Sequence, residues 1–354
     1  MQKNKNGFIQ KYFAAANSYN GFICLFDQIF TPEDFHMIYV LKGGPGTGKS
    51  SLMKKISKEF TESGYRIEEI YCSSDPHSLD GVIIEKNNKK IAIIDGTSPH
   101  ERDAKNPLAA DKIINLADNL DERILLPQKG AILSLATEKA KAYKTAYFYL
   151  SCAGRFDSLI EECYTSNFDK TKAKVKAESF LQDIPTSQDE RITTRFISSF
   201  GRLGERRIEP ITDHNFKVIR VGGNEYSVGL LLEVFKDFLV CKKQNLCLFP
   251  SALNPRHLDG ILLPDYSLMI VKSDDFEIDA DEFMNIPPIE YEEIRSAKML
   301  RIDSLDEARR WFAIASDIHF RLENIYTSAM DFEKNDNICS RITEEIISIM
   351  EKEI

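Results

Sequence analysis

Eight consecutive residues, the glycine-rich loop from 43 to 50, have the composition of a segment that binds phosphate. They are Gly43-Gly44-Pro45-Gly46-Thr47-Gly48-Lys49-Ser50 and fit the pattern G-x-x-x-x-G-K-[ST]. Glycines at these positions let successive backbone N–H groups turn toward phosphate oxygens with no side chain in the way. We expect Lys49 to reach the β- and γ-phosphates, Ser50 to complete a magnesium shell and Ser51 to lie near the α-phosphate. The predicted chemistry is the binding of a nucleoside triphosphate, with ATP preferred over GTP only on general grounds.

A carboxylate suited to the same magnesium ion ends an apolar segment further along the chain. Asp95 follows Lys90-Ile91-Ala92-Ile93-Ile94, which predicts a buried strand with an acid at its end. The next residue is Gly96, where many ATPases have a glutamate that positions the attacking water. The residue with that role is therefore left open by this segment.

Four side chains are candidates for handling the proton of an attacking group. Asp75, His77 and Asp80 lie in the segment from Ser74 to Gly81, and His100 follows the acidic strand. The alternative is that Asp75-Pro76 and Asp80-Gly81 only form turns. We expect Asp75 and Asp80, together with Lys49 and Asp95, to be the catalytic set.

Two predicted elements hold the glycine-rich loop in place. Residues 37 to 42 predict a strand, and residues 49 to 63 predict a helix whose N-terminus faces the phosphates. Strands are also predicted near 66 to 72 and 90 to 95, an alternation typical of a parallel α/β sheet. Apolar residues at helical spacing predict a helical hairpin between about 107 and 181.

The sequence contains a tandem duplication. The segment from Asp75 to Ile84 is repeated as Asn254 to Leu263, so that Leu258 follows Leu79 by 179 residues. A polar stretch with Pro185 places the boundary near Gln188, which gives domains of residues 1–188 and 189–354.

The second half is predicted to repeat the plan of the first. Its last helices are expected from about Ser304 to Phe332 and from Asp336 to Glu353. The fold class expected is therefore α/β of the P-loop NTPase type, a parallel sheet flanked by helices, duplicated in tandem with a helical hairpin in each half. The halves are expected to pack as an internal pseudo-dimer.

The second copy is predicted to keep the fold and to lack the chemistry. Without gaps along the helix, Gly48 falls opposite Tyr226, Lys49 opposite Ser227 and Ser50 opposite Val228. Asp95 falls opposite Lys272, which cannot hold a cation. Arg256, opposite His77, is either a surface arginine or one that reaches the nucleotide of the first half.

The composition argues against several classes of protein. With 46 basic and 55 acidic residues, the net charge of -9 disfavours broad binding to nucleic acid or to an anionic membrane. The 7 cysteines form no CxxC pair and are expected to be reduced thiols. The first residues lead into no apolar signal core and no membrane span is indicated, so we expect a cytoplasmic protein.

Three segments together resemble those of a known family. The glycine-rich loop, Cys72 to Gly81 and Ile94 to His100 are similar to a bacterial family of tandem P-loop ATPases, mostly from Firmicutes, whose function is unsettled. The resemblance spans essentially the whole chain and implies ATP binding with hydrolysis. Both halves of that family often carry a phosphate loop, so residues 222 to 228 depart from its pattern.

The function expected is that of an ATP-binding P-loop NTPase that hydrolyses ATP with magnesium. Its cycle would drive or signal a conformational change to a protein partner through the helical hairpins. A small-molecule or nucleotide kinase is the alternative, although Arg102 stands nearly alone where a kinase has an arginine-rich lid. A nucleotide-sensing module with little turnover is the third possibility. A motor on nucleic acid is disfavoured by the acidic charge balance.

Overall fold

The computed structural model describes residues 7–188, 190–211, 216–285 and 292–352. The predicted domain boundary at Gln188 lies at the end of a described range, and the predicted end of the last helix at Glu353 lies outside the described residues. The first half contains β1 (Phe8–Phe13), β2 (Ala15–Ser18), β3 (Gly21–Cys24), α1 (Phe26–Ile29), β4 (Met37–Lys42), α2 (Lys49–Glu62), β5 (Arg66–Tyr71), β6 (Leu79–Lys86), β7 (Lys89–Asp95), β8 (Asp111–Asn115), α3 (Glu122–Leu125), α4 (Lys129–Asn167) and α5 (Lys170–Leu181).

The second half repeats this series of elements in a shorter form. It contains β9 (Ile192–Thr194), β10 (Ser198–Gly201), β11 (Gly204–Arg207), β12 (Lys217–Gly222), α6 (Glu225–Cys241), β13 (Leu246–Pro250), β14 (Leu258–Leu263), β15 (Leu268–Lys272), β16 (Ile278–Asp279), α7 (Glu292–Ser328) and α8 (Phe332–Glu351). Helix α7 thus extends further toward the N-terminus than the sequence pattern predicted.

Two six-stranded sheets with the same strand order confirm the duplication. The first has the order β1-β5-β6-β7-β4-β8 and the second the order β9-β13-β14-β15-β12-β16. Each also has a register shift at the matching place, between Ile70 and Tyr71 in the first sheet and between Phe249 and Pro250 in the second. Matching irregularities of this kind are expected of two copies of one fold, because a bulge belongs to a fold as firmly as its strand order does.

The expectation of a parallel sheet was wrong, because both sheets are mixed. Strand β6 pairs antiparallel with β5 and with β7, and the equivalent β14 does the same in the second sheet. Only Asn87 and Asn88 separate β6 from β7, and both have positive φ angles of 52° and 62°. Such a tight turn reverses the chain and suits asparagine, which tolerates this backbone conformation.

The inner faces of the two sheets share one hydrophobic core. Phe13, Ile38 and Ile94 of the first half pack in the same cluster as Phe249 and Met269 of the second. Backbone hydrogen bonds join the halves as well, and Phe13 and Phe196 each donate an N–H to the carbonyl of the other, at 2.8 and 3.0 Å. The halves therefore form one packed body.

The outer face of each sheet is covered by one helix from each half. Helix α8 packs with α2 on the first sheet, where Ile342 and Ile346 are buried beside Leu52 and Ile56. Tyr39 donates a hydrogen bond from its hydroxyl to α8 at 3.0 Å. In return, α5 packs with α6 on the second sheet, and this exchange of helices joins the two sequence repeats.

The expected helical hairpin in each half is replaced by this exchange. Asp169 accepts a hydrogen bond from the Lys172 N–H at 2.9 Å and so starts α5 in a new direction after α4. Helix α4 lies antiparallel along α7, with Leu135 near Leu322 and Ile160 near Ala297. Strand β8 also lies where only helix was predicted. In the described part of the chain, no helix is long and apolar enough to cross a membrane.

The exchange predicts that a cavity in α8 destabilises the first half. Ile346 is fully buried, so we expect Ile346→Ala to lower the free energy of unfolding by about 2–4 kcal/mol in urea titrations. Ser348→Ala, on the exposed side of the same helix, is the control and should change it by less than about 0.5 kcal/mol. Equal stability of both variants would contradict the packing of α8 on this sheet.

Candidate functional site

The glycine-rich loop connects β4 to α2 in a conformation that depends on its glycines. Gly43, Gly46 and Gly48 have φ angles of 148°, 71° and 84°, a region that side chains disfavour. The buried Thr47 hydroxyl donates to the Gly44 carbonyl at 2.8 Å and closes the loop. Gly48 is the N-cap of α2 and provides no side-chain cap, so the first N–H groups of the helix are left for another acceptor.

Lys49 folds back over this loop. Its ammonium donates hydrogen bonds to the carbonyls of Gly43 at 2.8 Å and of Gly44 at 2.9 Å. The same nitrogen lies 3.6 Å from Oδ2 of Asp95, and both side chains are largely buried. The predicted lysine and the predicted acid therefore meet at one place, at the ends of the adjacent parallel strands β4 and β7.

Ser50 and Asp95 supply the kind of oxygen atoms that magnesium prefers. The Ser50 hydroxyl accepts a hydrogen bond from the Leu79 N–H at 2.9 Å and has a lone pair remaining. Oδ1 of Asp95 accepts from the N–H and hydroxyl of Thr97, at 2.9 and 2.6 Å, which fixes the carboxylate. Across the described ranges no group of three or more His, Cys, Asp or Glu residues could hold a metal. This donor set fits magnesium, which takes one or two protein ligands and completes its shell with phosphate and water.

Asp80 and His100 form a buried pair next to this centre. Nε2 of His100 lies 3.2 Å from Oδ2 of Asp80, and Nδ1 lies 2.9 Å from the Thr97 carbonyl oxygen. Burial, reinforced by the charge of Asp95, raises the pKa of Asp80 to about 8, and burial lowers the pKa of His100. At neutral pH both groups are thus uncharged, with the Asp80 proton donated to Nε2 and the Nδ1 proton to Thr97.

The remaining predicted residues occupy less central positions. Asp75 lies at the mouth of the site, and one of its carboxylate oxygens is 4.0 Å from Arg202 of the second half. His77 is exposed, and its carbonyl accepts a hydrogen bond from Lys54. Ser51 is exposed on the first turn of α2.

Arg256 is not directed at the glycine-rich loop. Its guanidinium donates to Glu161 at 3.2 Å and to Asn254 at 3.4 Å, beside the second sheet. Arg256 therefore lies beside the region of the second sheet that is equivalent to the candidate site, and not beside the glycine-rich loop itself.

Helices α7 and α8 of the second half cover the glycine-rich loop, which the sequence did not predict. A Cβ on Gly46 would lie 2.5 Å from the Glu323 carbonyl oxygen and 2.5 Å from the Thr327 hydroxyl. The Asn335 amide, in a side chain only 5% exposed, donates to the Thr47 carbonyl at 2.8 Å. Burial raises the pKa of Glu323, further increased by the charge of Asp75. These contacts join residues about 280 positions apart, so no local sequence pattern could predict them.

The equivalent place in the second half is built differently. Only residues 223 and 224 separate β12 from α6, whereas residues 43–48 separate β4 from α2. Asn224 caps α6 through the Tyr226 N–H, and both carboxylate oxygens of Asp281 accept from the Asn224 N–H at 3.1 Å. The second half therefore satisfies this helix N-terminus with its own side chains.

Strand and helix registers refine the comparison of the two halves. Asp95 pairs with Leu41 as Lys272 pairs with Val221, which confirms that a lysine replaces the acid. The buried positions of α2, among them Leu52 and Phe60, match those of α6 at a separation of 179 residues. This separation places Val228, and not Ser227, opposite Lys49.

The raised pKa of Asp80 predicts a stabilising substitution. A folded-state pKa of about 8 means that its contribution to stability is complete below pH 4 and is lost as the pH rises toward 8. We expect Asp80→Asn to raise the free energy of unfolding by on the order of 5 kcal/mol at pH 8 and by almost nothing at pH 4.

Denaturant titrations at the two pH values measure this effect. Asp259→Asn is the matched control, because Asp259 occupies the equivalent position but accepts a hydrogen bond from Ser198 at 2.5 Å and lies 3.6 Å from Arg207. That variant should be less stable than the wild-type protein. An Asp80→Asn protein destabilised at pH 8 would show that the pKa of Asp80 is not raised in the folded state.

Comparisons with protein-family models, with curated proteins and with solved structures found no match to this chain. A functional assignment therefore depends on the geometry of the glycine-rich loop and on the side chains around it.

Proposed function

We propose that the first half binds ATP with magnesium and hydrolyses it, and that the second half is a partner domain without a nucleotide of its own. The observation that carries this proposal is the contrast between the two strand-to-helix connections. The first leaves a helix N-terminus uncapped beside a buried lysine, whereas the second fills the same place with the carboxylate of Asp281. An anion is thus the missing ligand of the first half.

The residues of the loop have distinct roles in this proposal. The backbone N–H groups of residues 43–50, apart from Pro45, which has none, would surround the β-phosphate, and Ser51 would lie near the α-phosphate. The Lys49 ammonium would exchange the carbonyls of Gly43 and Gly44 for the β- and γ-phosphate oxygens. Breaking these internal hydrogen bonds on binding couples the nucleotide to the conformation of the loop.

Ser50 and Asp95 would hold the magnesium ion, which when bound neutralises negative charge on the phosphates. Asp80 would accept the proton of the attacking water, because it is the buried carboxyl of this centre whose pKa lies near neutral pH. His100 orients Asp80 through its Nε2 atom. Asp75 lies where it faces the second half and would contact the outer edge of the site.

Contacts between α7 and the loop support a signalling role for the cycle. Gly46 lies directly against the α7 backbone near Glu323, so any change in the loop must be accommodated by this helix. Helix α7 in turn packs along most of α4. The proposal is that nucleotide turnover shifts this helix pair and is sensed there by a protein partner.

Removal of the lysine tests the proposal directly. We expect Lys49→Ala to lose ATP-dependent phosphate release by roughly a hundredfold or more, because a charge contact to the transferred group is removed. Lys58→Ala, an exposed lysine on the same helix, is the control and should behave as the wild-type protein.

Phosphate release and ATP binding are measured with magnesium for the three proteins. A wild-type protein that binds no nucleotide would contradict the proposal. Binding without turnover would identify a sensor, and labelled phosphate on an added hydroxyl or nucleotide acceptor would identify a kinase.

The proposed proton acceptor predicts the pH dependence of the reaction. Ionised Asp80 is needed to accept a proton, so kcat/KM should rise with pH and level off above a midpoint near pH 8. Asp80→Asn should abolish this rise and most of the activity, even though it stabilises the fold. A wild-type profile that is flat between pH 6 and 9 would exclude Asp80 from this role.

A further inference from the structure

Arg202 of the second half lies at the edge of the site in the first half. It occupies the turn between β10 and β11, and its Nη2 atom is 4.0 Å from Oδ1 of Asp75. Its guanidinium carbon lies 5.1 Å from the centre of the Phe320 ring of α7. The hairpin is seated closely, since a Cβ on Gly201 would be 3.5 Å from the Ser73 carbonyl oxygen.

The hydrogen-bonding capacity of Arg202 is incompletely used. Its Nε atom is buried and has no hydrogen-bond partner among the described residues. At 4.0 Å, the contact with Asp75 is an ion pair longer than a hydrogen bond. The side chain as a whole is 27% exposed, so the guanidinium remains accessible to a group with acceptor oxygens.

The equivalent hairpin of the first half, formed by β2 and β3, shows where the turn of such a hairpin lies relative to the strand ends of the opposite half. The turn between β2 and β3 contains Tyr19, whose N–H donates to the Leu253 carbonyl of the second half at 3.0 Å. Tyr19 lines one small cavity together with Asn254, Asp259 and Lys272. Asn254 and Asp259 are the counterparts of Asp75 and Asp80, because each follows its counterpart by 179 residues. Lys272 is the counterpart of Asp95, because the two occupy equivalent positions in the strand pairing.

The exchange of hairpins therefore places Arg202 in the first half where Tyr19 stands in the second. By this correspondence, that position would face Asp80 and Asp95 as well as Asp75, beside Lys49, where the polyphosphate is proposed to bind. Arg102 is only 4% exposed and directs its Nη2 atom at Asp111, 3.4 Å away, while its buried Nε and Nη1 atoms have no hydrogen-bond partner among the described residues. Arg256 is engaged by Glu161 at 3.2 Å.

We propose that Arg202 contacts the γ-phosphate of ATP bound to the first half and stabilises its transfer, so that the second half completes the active site. This inference rests on the proposed ATPase function. A water oxygen bonds to the γ-phosphorus while the bond from that phosphorus to the bridging oxygen breaks. ADP leaves with the electron pair, and the water proton passes to Asp80. Guanidinium donors suit the charge that this step places on the bridging and terminal oxygens.

Three variants test this role. We expect Arg202→Ala to lower turnover at saturating ATP and magnesium by roughly a hundredfold or more, while ATP affinity changes by less than about threefold. Arg202→Lys should have turnover almost as low as Arg202→Ala, because an ammonium group lacks the planar set of donors of a guanidinium. Arg206→Ala, an exposed arginine on the same hairpin, is the control and should leave turnover unchanged.

A binding measurement separates a catalytic from a structural role. ADP with aluminium fluoride mimics the transferring phosphoryl group, and the wild-type protein should bind this mixture more tightly than ADP alone. Arg202→Ala should lose that gain and keep its affinity for ADP.

Other results would overturn the inference in distinguishable ways. Turnover within threefold of the wild-type rate would exclude Arg202 and leave the ATPase proposal intact. Parallel loss of ADP binding and thermal stability in both Arg202 variants would make the residue structural. A wild-type protein that binds ATP without any turnover would overturn this inference and the proposed hydrolysis together.

Discussion

Each sheet of this protein needs a second helix on its outer face, and that helix comes from the other half of the chain. Ile342 and Ile346 of α8 fill the space beside α2, while Ala173 and Ala177 of α5 fill the space beside α6. A sheet with only one covering helix would expose a broad apolar surface to water. The exchange is therefore the constraint on which the rest depends, and it makes the two repeats inseparable as folded units.

The helix exchange also determines which residues surround the candidate site. Because α8 must reach the first sheet, the end of α7 and the start of α8 pass over the glycine-rich loop, where Thr327 and Asn335 contact it. A loop that is usually open to solvent thus has residues of the second half along one side. A ligand that reshaped the loop would act on the exchanged helices as well, so the proposed nucleotide binding would have a direct mechanical path to the α4 and α7 pair.

Local patterns in the sequence predicted the parts of the structure that are local. The glycine-rich loop, α2 and Asp95 at the end of β7 follow from neighbouring residues, and the structure brings Lys49 within 3.6 Å of Asp95. The duplication also followed, because the copies preserve one segment at fixed spacing. Their roles in binding and catalysis remain predictions.

The features that sequence reasoning missed depend on long-range packing or on single turns. The direction of β6 is decided by Asn87 and Asn88, which a search for alternating strands and helices overlooks. The helix exchange depends on which of the two sheets α5 and α8 each pack against. The helical periodicity of apolar residues in α5 and α8 is the same in either case and does not decide it. The position of Arg202 beside Asp75 was also missed, because alignment of the copies shows equivalent positions and cannot show that the hairpins of the two halves are exchanged.

The second half keeps its fold although the connection between β12 and α6 is shortened to two residues. Its shortened connection leaves a helix N-terminus that would otherwise need an anion, and Asp281 provides one as part of the chain. This substitution makes α6 independent of any ligand, whereas α2 keeps an N-terminus without a side-chain cap. The two helix starts therefore meet one electrostatic requirement differently: α6 has a fixed internal carboxylate, and α2, under the proposed function, would take an exchangeable anion. Such an anion would let the protein respond to a ligand in the half that also holds Lys49 and Asp95.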